Sequence, residues 1–182
     1  MSNPYPPPGH YPPPHPAPSG STGVAVTAWI LPLAFLGGPL IVALAMWFVL
    51  GSTEEAMAPT PALLVPLVAA GGAYAMAEAI GYRARPLPLG MPPAQATRTA
   101  GATWLSRMII RLVLADVVLF VSLAAAFIVT TGAFLITLTG ALLTVVLVAL
   151  LCLPRRRSVD RVATALEAGG TPSGLRQAFG YA

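Results

Sequence analysis

Apolar residues in this chain are massed rather than alternated. Residues 24–50, 62–82, 108–130 and 133–153 form four near-continuous hydrophobic runs, each near or above the twenty or so residues a helix needs to cross a hydrocarbon core about 30 Å thick. The pattern predicts an all-α integral membrane protein with four transmembrane helices. The remainder divides into a proline-rich tail (1–23), a connection of about 25 residues between the second and third runs, two shorter connections, and a basic C-terminal segment (154–182). None of these pieces is long enough by itself to hold a soluble domain.

Departures from apolar character inside the runs carry packing information. Pro32 and the cluster Gly37-Gly38-Pro39 near the middle of the first run predict a kinked or broken helix, because proline removes a backbone hydrogen bond and glycine weakens the ladder. In the second run Ala69, Ala73, Ala77 and Gly81 recur every fourth position, a small-residue ridge suited to close helix approach. Gly140 and Thr144, with Thr137 one turn earlier, repeat the device in the fourth run. The link Thr130-Thr131-Gly132 is so short that the third and fourth helices must form an antiparallel hairpin.

After Pro154 and Arg155-Arg156-Arg157, the period changes. Ser158 reads as an N-cap, Val159, Val162, Ala163 and Leu166 share one helical face, and Gly169-Gly170 ends the pattern. This predicts a short amphipathic helix, lying on the inner leaflet or docking on a partner, with Leu175 and Phe179 as a second anchor. At the other end, Tyr5-Pro6-Pro7-Pro8-Gly9-His10 is nearly repeated as Tyr11-Pro12-Pro13-Pro14-His15. Such a tail is expected to be disordered with polyproline II character, a solvated extension or a docking element for an aromatic groove.

Composition reinforces the membrane assignment: 56% of residues are hydrophobic, 9% are charged and the mean hydropathy is +0.76, far from a soluble average of about a quarter charged. All ten basic residues are arginine, which with abundant Ala, Gly and Pro points to a GC-rich bacterial genome. Arg83, Arg85, Arg98 and Arg107 lie in or beside the second connection, and Arg155, Arg156, Arg157, Arg161 and Arg176 follow the fourth run, whereas 51–61 and 130–132 hold no Lys or Arg. The positive-inside rule then puts both termini in the cytoplasm of a bacterial inner membrane, with Glu54 and Glu55 outside. Arg83, Arg85, Arg155, Arg156 and Arg157 are candidate contacts to anionic inner-leaflet headgroups, at about 1 kcal/mol per residue. The lipid surface thus accounts for the pI of 9.8 without nucleic acid. No basic residue precedes the first run, which is also too long for a signal-peptide core, so the first span is expected to stay in the mature protein. Cys152 is the single cysteine and reads as a small apolar side chain.

Three ionisable residues fall at membrane depth: Glu78, Arg111 and Asp116. Each costs at least about 2.5 kcal/mol to insert and needs a partner or a cavity. Tyr74, Glu78 and Tyr82, spaced by four, form a polar stripe beside the small-residue ridge. Glu78 and Arg111 sit at similar depths on antiparallel spans and are expected to pair. Asp116 is turned about 140° from Arg111 on its own helix and is expected to be neutral and hydrogen-bonded. The functional alternative makes Glu78 and Asp116 a proton- or cation-binding pair. Motifs for nucleophilic catalysis, a catalytic metal or phosphate binding do not occur, and histidine is confined to His10 and His15 in the tail. No catalytic, cofactor or metal residue is therefore assigned. The sequence leads to a non-enzymatic scaffold, accessory or regulatory subunit of a larger membrane assembly, bound to a membrane-protein partner or to further copies of itself. The rival is a small oligomeric secondary transporter or channel using Glu78 and Asp116.

Overall fold

The computed structural model of the chain describes residues 21–50, 60–129 and 131–181. Expectations for the Tyr-Pro-Pro-Pro repeats, His10 and His15, for Glu54 and Glu55, and for Thr130 lie outside these residues. The described residues form helices and no strands: α1 (Ser21–Leu50), α2 (Thr60–Ile80), α3 (Pro93–Ile128), α4 (Ala133–Leu151), α5 (Arg156–Glu167) and the single turn α6 (Leu175–Ala178). Four of them, α1 to α4, are long and apolar enough to cross a membrane.

The α3–α4 hairpin is the centre of the bundle, and α1 and α2 each pack against it far more than against each other. Gly132 takes a left-handed backbone (φ 72°) at the hairpin turn, a conformation that costs glycine little. Small residues set the approach as expected. Ala73, Ala77 and Gly81 are buried against α3, in a core that includes Met108, Leu112 and Ala115. Between α3 and α4, a Cβ on Gly140 would overlap the Ser122 side chain, and the Thr144 hydroxyl donates to the Ala115 carbonyl at 3.3 Å. Cys152 is buried in the same core.

Helix α1 runs unbroken through Pro32 and Pro39, so of the kink or break predicted there the break does not occur. Each proline withdraws one N–H and disturbs one bond four residues back, and the ladder on either side carries the helix through.

The second connection differs most from expectation. Helix α3 begins at Pro93, fifteen residues ahead of the apolar run, with proline in its first turn, where the missing N–H has no helical acceptor to lose. Its 36 residues span about 54 Å, so the N-terminal part projects beyond a 30 Å hydrocarbon core. Ala96, Ala100 and Trp104, at spacing four, bury their side chains in a second core with Leu87, Val159, Val162, Ala163, Leu166 and Leu175. The amphipathic helix α5 therefore docks its apolar face on its own chain. Leu175 enters this core and Phe179 meets Trp104 edge-on at 5.3 Å, so both anchor the fold rather than the bilayer. Two pieces too short to fold alone combine into a cap. Ala28 near the start of α1 is buried in the same core, which places that end of α1, the α2–α3 connection and the C-terminal helices together.

Two details of the cap also differ from the reading of the sequence. Helix α5 starts at Arg156 with Arg155 as its N-cap residue; Ser158 is inside the first turn and its hydroxyl donates to the Arg155 carbonyl at 2.8 Å. The Gly169-Gly170 stop holds: Gly170 is left-handed (φ 86°) and its amide donates to the Glu167 carbonyl at 2.8 Å.

Candidate functional site

The polar residues of α2 converge where the bundle meets the cap. Four residues advance a helix by 400°, so Tyr74, Glu78 and Tyr82 stay within 40° of one another per step, and all three line one wall of a cleft of about 220 Å³. Leu150 and Leu151 at the end of α4 line it too, with Arg155, Arg157, Ser158 and Arg161 from the start of the C-terminal segment. Arg83, Arg85 and Arg156 are exposed and do not line the cleft.

Glu78 does not pair with Arg111. Its Oε2 accepts a hydrogen bond from Arg161 Nη1 at 2.8 Å, which ties the second span to α5. Arg111 is instead fully buried, its Nη1 donating to the Leu151 carbonyl at 2.7 Å and its Nε to the Arg107 carbonyl at 3.2 Å. Its guanidinium lies 4.6 Å from the Tyr82 ring centre and 5.0 Å from that of Trp104, and Arg161 stands 5.3 Å from the same Tyr82 ring. The last carbonyls of a helix lack intrahelical donors and carry partial negative charge. The end of α4 thus gives Arg111 an acceptor that a carboxylate would otherwise supply. Gly81 opens the route, because a Cβ there would come within 2.7 Å of Arg111 Cγ. Arg111 Nη2 and Trp104 Nε1, both buried, have no hydrogen-bond partner among the described residues.

Asp116 belongs to another surface. It lines an open groove of about 340 Å³ with Phe35, Gly38, Pro39 and Val42 of α1 and Phe120 of α3. Its expected hydrogen bond is not formed among the described residues. The nearby Phe35 carbonyl, four residues before Pro39, has no proline N–H to accept from. Among the described residues Glu78 and Asp116 line different cavities, and the sequence-predicted cluster splits in two: Tyr74, Glu78 and Tyr82 at the cleft with Arg111 beside Tyr82, and Asp116 in a groove shared with α1.

Outside the bundle the cap holds a second ion network. Arg176 donates to Asp160 (Nε, 2.9 Å) and to Glu167 (Nη1, 2.6 Å), and Ser173 donates to Glu167 from its hydroxyl at 2.7 Å and its amide at 3.1 Å. Burial by itself would raise the Glu167 pKa, but the hydrogen bonds from Ser173 and Arg176 outweigh it and hold the carboxyl below its ordinary value. The same bonds to Glu167 and Asp160 raise the Arg176 pKa.

Sequence reasoning missed Arg161 and Ser158 as cleft residues. Their signal was the polar face of α5, where Arg157 and Arg161 are four apart. Among the described residues no three His, Cys, Asp or Glu side chains come together in a metal-binding group. Chemically, the cleft offers guanidinium and phenol donors with one neutralised carboxylate, a set suited to holding an anion. Comparisons of the chain with protein-family models, with curated proteins and with solved structures find no match.

Proposed function

We propose that this chain is a non-enzymatic scaffold or accessory subunit of a larger membrane assembly, seated in a bacterial inner membrane with the cap and the start of α1 on the cytoplasmic side. The orientation rests on charge: every arginine falls at or near the cap end of the bundle, as positive-inside sorting requires.

The observation that carries the role is the fate of the two carboxylates. A carrier would need Glu78 and Asp116 to exchange protons or ions along one path, yet Glu78 is paired to Arg161 at the cap and Asp116 faces a separate groove. Glu78 acts as a fastener between bundle and cap through its pair with Arg161. Meanwhile the outer faces of α1 and α2 carry Gly37, Gly38, Gly71 and Gly72, each with open space where a Cβ would stand. Helix faces of this kind admit close approach by a neighbouring helix.

Crosslinked pull-down of the tagged full-length protein from native membranes, with stoichiometry by quantitative mass spectrometry, tests this reading. It should recover a foreign membrane protein in near-stoichiometric amount. Recovery of the chain only with itself would overturn the accessory role in favour of an oligomeric carrier. One observation favours that second reading: Asp116 has no hydrogen bond among the described residues and lines a groove with Phe35 and Pro39, whose proline cannot donate to the Phe35 carbonyl. Ion-flux assays on Asp116→Asn and Glu78→Gln would then decide it.

A further inference from the structure

We propose that the cleft between α2 and α5 is a discrete binding site for the phosphodiester of one anionic phospholipid. The inference concerns a ligand of the fold and stands apart from the accessory role. It is also narrower than general attraction between arginines and a charged leaflet, because it selects particular residues.

Charge is the first ground. Arg155, Arg157 and Arg161 face a single carboxylate, Glu78, so the lining carries a net charge of +2. Arg161 is paired, and Arg176 nearby holds two carboxylates. Arg155 and Arg157 have no ion-pair or hydrogen-bond partner for their guanidiniums among the described residues, although Asp160 and Glu167 belong to the same segment. The fold directs its acidic residues elsewhere and leaves two arginines at the cleft uncompensated. Guanidinium forks match phosphate oxygens in geometry as well as charge.

Donors of other kinds stand with them. Tyr74 and Tyr82 add phenol hydroxyls, while the Ser158 hydroxyl is committed to the Arg155 carbonyl. The cleft adjoins the first turn of α5, where the amides of Arg156 and Arg157 precede any helical carbonyl that could accept them.

Position argues for a lipid over a soluble phosphate. From the end of α2 at Ile80, beside Tyr82, back to Tyr74 the wall extends about 9 Å along the helix axis, from the cap junction into the apolar span. Tyr74 and Leu150 at that end remain 45% and 46% exposed on the bundle surface. The cleft is therefore open to the bilayer, and acyl chains can follow α2 and α4 while the phosphodiester remains among the arginines. A soluble anion would use only the upper half.

The test is native mass spectrometry of the full-length protein in detergent micelles, titrated separately with phosphatidylglycerol, phosphatidylcholine and inorganic phosphate. One phosphatidylglycerol should be retained per chain in preference to phosphatidylcholine. Arg155→Gln with Arg157→Gln should weaken retention about twenty-five-fold, at about fivefold per arginine near a membrane surface. Arg156→Gln, adjacent in sequence but outside the cleft, should leave it unchanged. Glu78→Gln, which takes the lining from +2 to +3, should strengthen retention of phosphatidylglycerol and not of phosphatidylcholine, a selectivity that exposed apolar surface would not give. Equal losses in Arg156→Gln and Arg157→Gln, or no gain in Glu78→Gln, would reduce the effect to diffuse charge and overturn the site. Displacement of the lipid by millimolar inorganic phosphate would overturn its assignment to a lipid.

Discussion

Substituting Val162 with aspartate should release α5 from the cap. Val159, Val162 and Leu166 are almost wholly buried there, and burying such side chains is worth about 1.5–3 kcal/mol each, so roughly 5–9 kcal/mol holds the helix as an upper estimate. Val162→Asp forfeits one of these contributions and places a carboxylate in an apolar core, at a further cost of several kcal/mol. The two together approach the whole docking energy. A twelve-residue helix is marginal in water without a surface to support it, so detachment should also unwind it. Amide hydrogen exchange of the protein in zwitterionic nanodiscs reads this directly. A loss of even 3 kcal/mol accelerates exchange by more than about a hundredfold, at a factor of ten per 1.4 kcal/mol. Ala168→Asp, exposed just past the helix, adds the same charge outside the core and should leave most of the protection. The reasoning fails if Val162→Asp exchanges as slowly as Ala168→Asp. It fails equally if the wild-type helix is protected only when anionic lipid is present, because α5 would then be lying on the membrane.

Three further outcomes follow from the packing and the ion pairs. Gly140→Ala should cost about 1–3 kcal/mol by overpacking against Ser122, and adding Ser122→Gly should recover most of it, as measured by thermal unfolding in detergent. Arg161→Glu should lower membrane levels of the protein and Glu78→Arg in the same chain should restore them, an exposed-pair effect of at most about 1 kcal/mol, whereas Arg111→Glu should not be rescued by Glu78→Arg. Glu167 is ionised in the fold with its pKa below the ordinary 4.5, so its contribution is complete above that value and declines as pH falls through the folded-state pKa; exchange at α6 should quicken over that acid range, and Glu167→Gln should flatten the dependence.

The spans were legible because four apolar masses admit no other solvent, and the α5 face because Val159, Val162, Ala163 and Leu166 repeat at helical spacing. What that face covers was harder to see. Ala96, Ala100 and Trp104 do form a stripe, but they sit among Thr, Arg, Gln and Gly, which dilutes the hydrophobic signal, and two of the three are alanines. Pro92-Pro93 was the available sign of a helix start. The polar cluster failed for another reason. Glu78 had several arginines to choose from, and the one it meets lies 83 residues downstream. Arg111 took a backbone carbonyl, a partner that every residue owns and no sequence displays. The prolines of α1 show a different limit: local propensity allowed either a kink or a break, and the surrounding helix carries the chain through without the break.

The composition of the cap core has a consequence for how the protein is made. Its members come from five separate stretches of chain, from Ala28 and Leu87 through the start of α3 and α5 to Leu175, so the core cannot close until the last of them has left the ribosome. At about 5–20 residues per second, Trp104 waits roughly 4–14 s for Leu175 to be translated. Throughout that interval the projecting end of α3 presents an uncovered apolar stripe. A chain stopped before Val159 keeps that stripe uncovered, because Val159, Val162, Ala163, Leu166 and Leu175, which pack on it in the cap core, all lie later in the sequence.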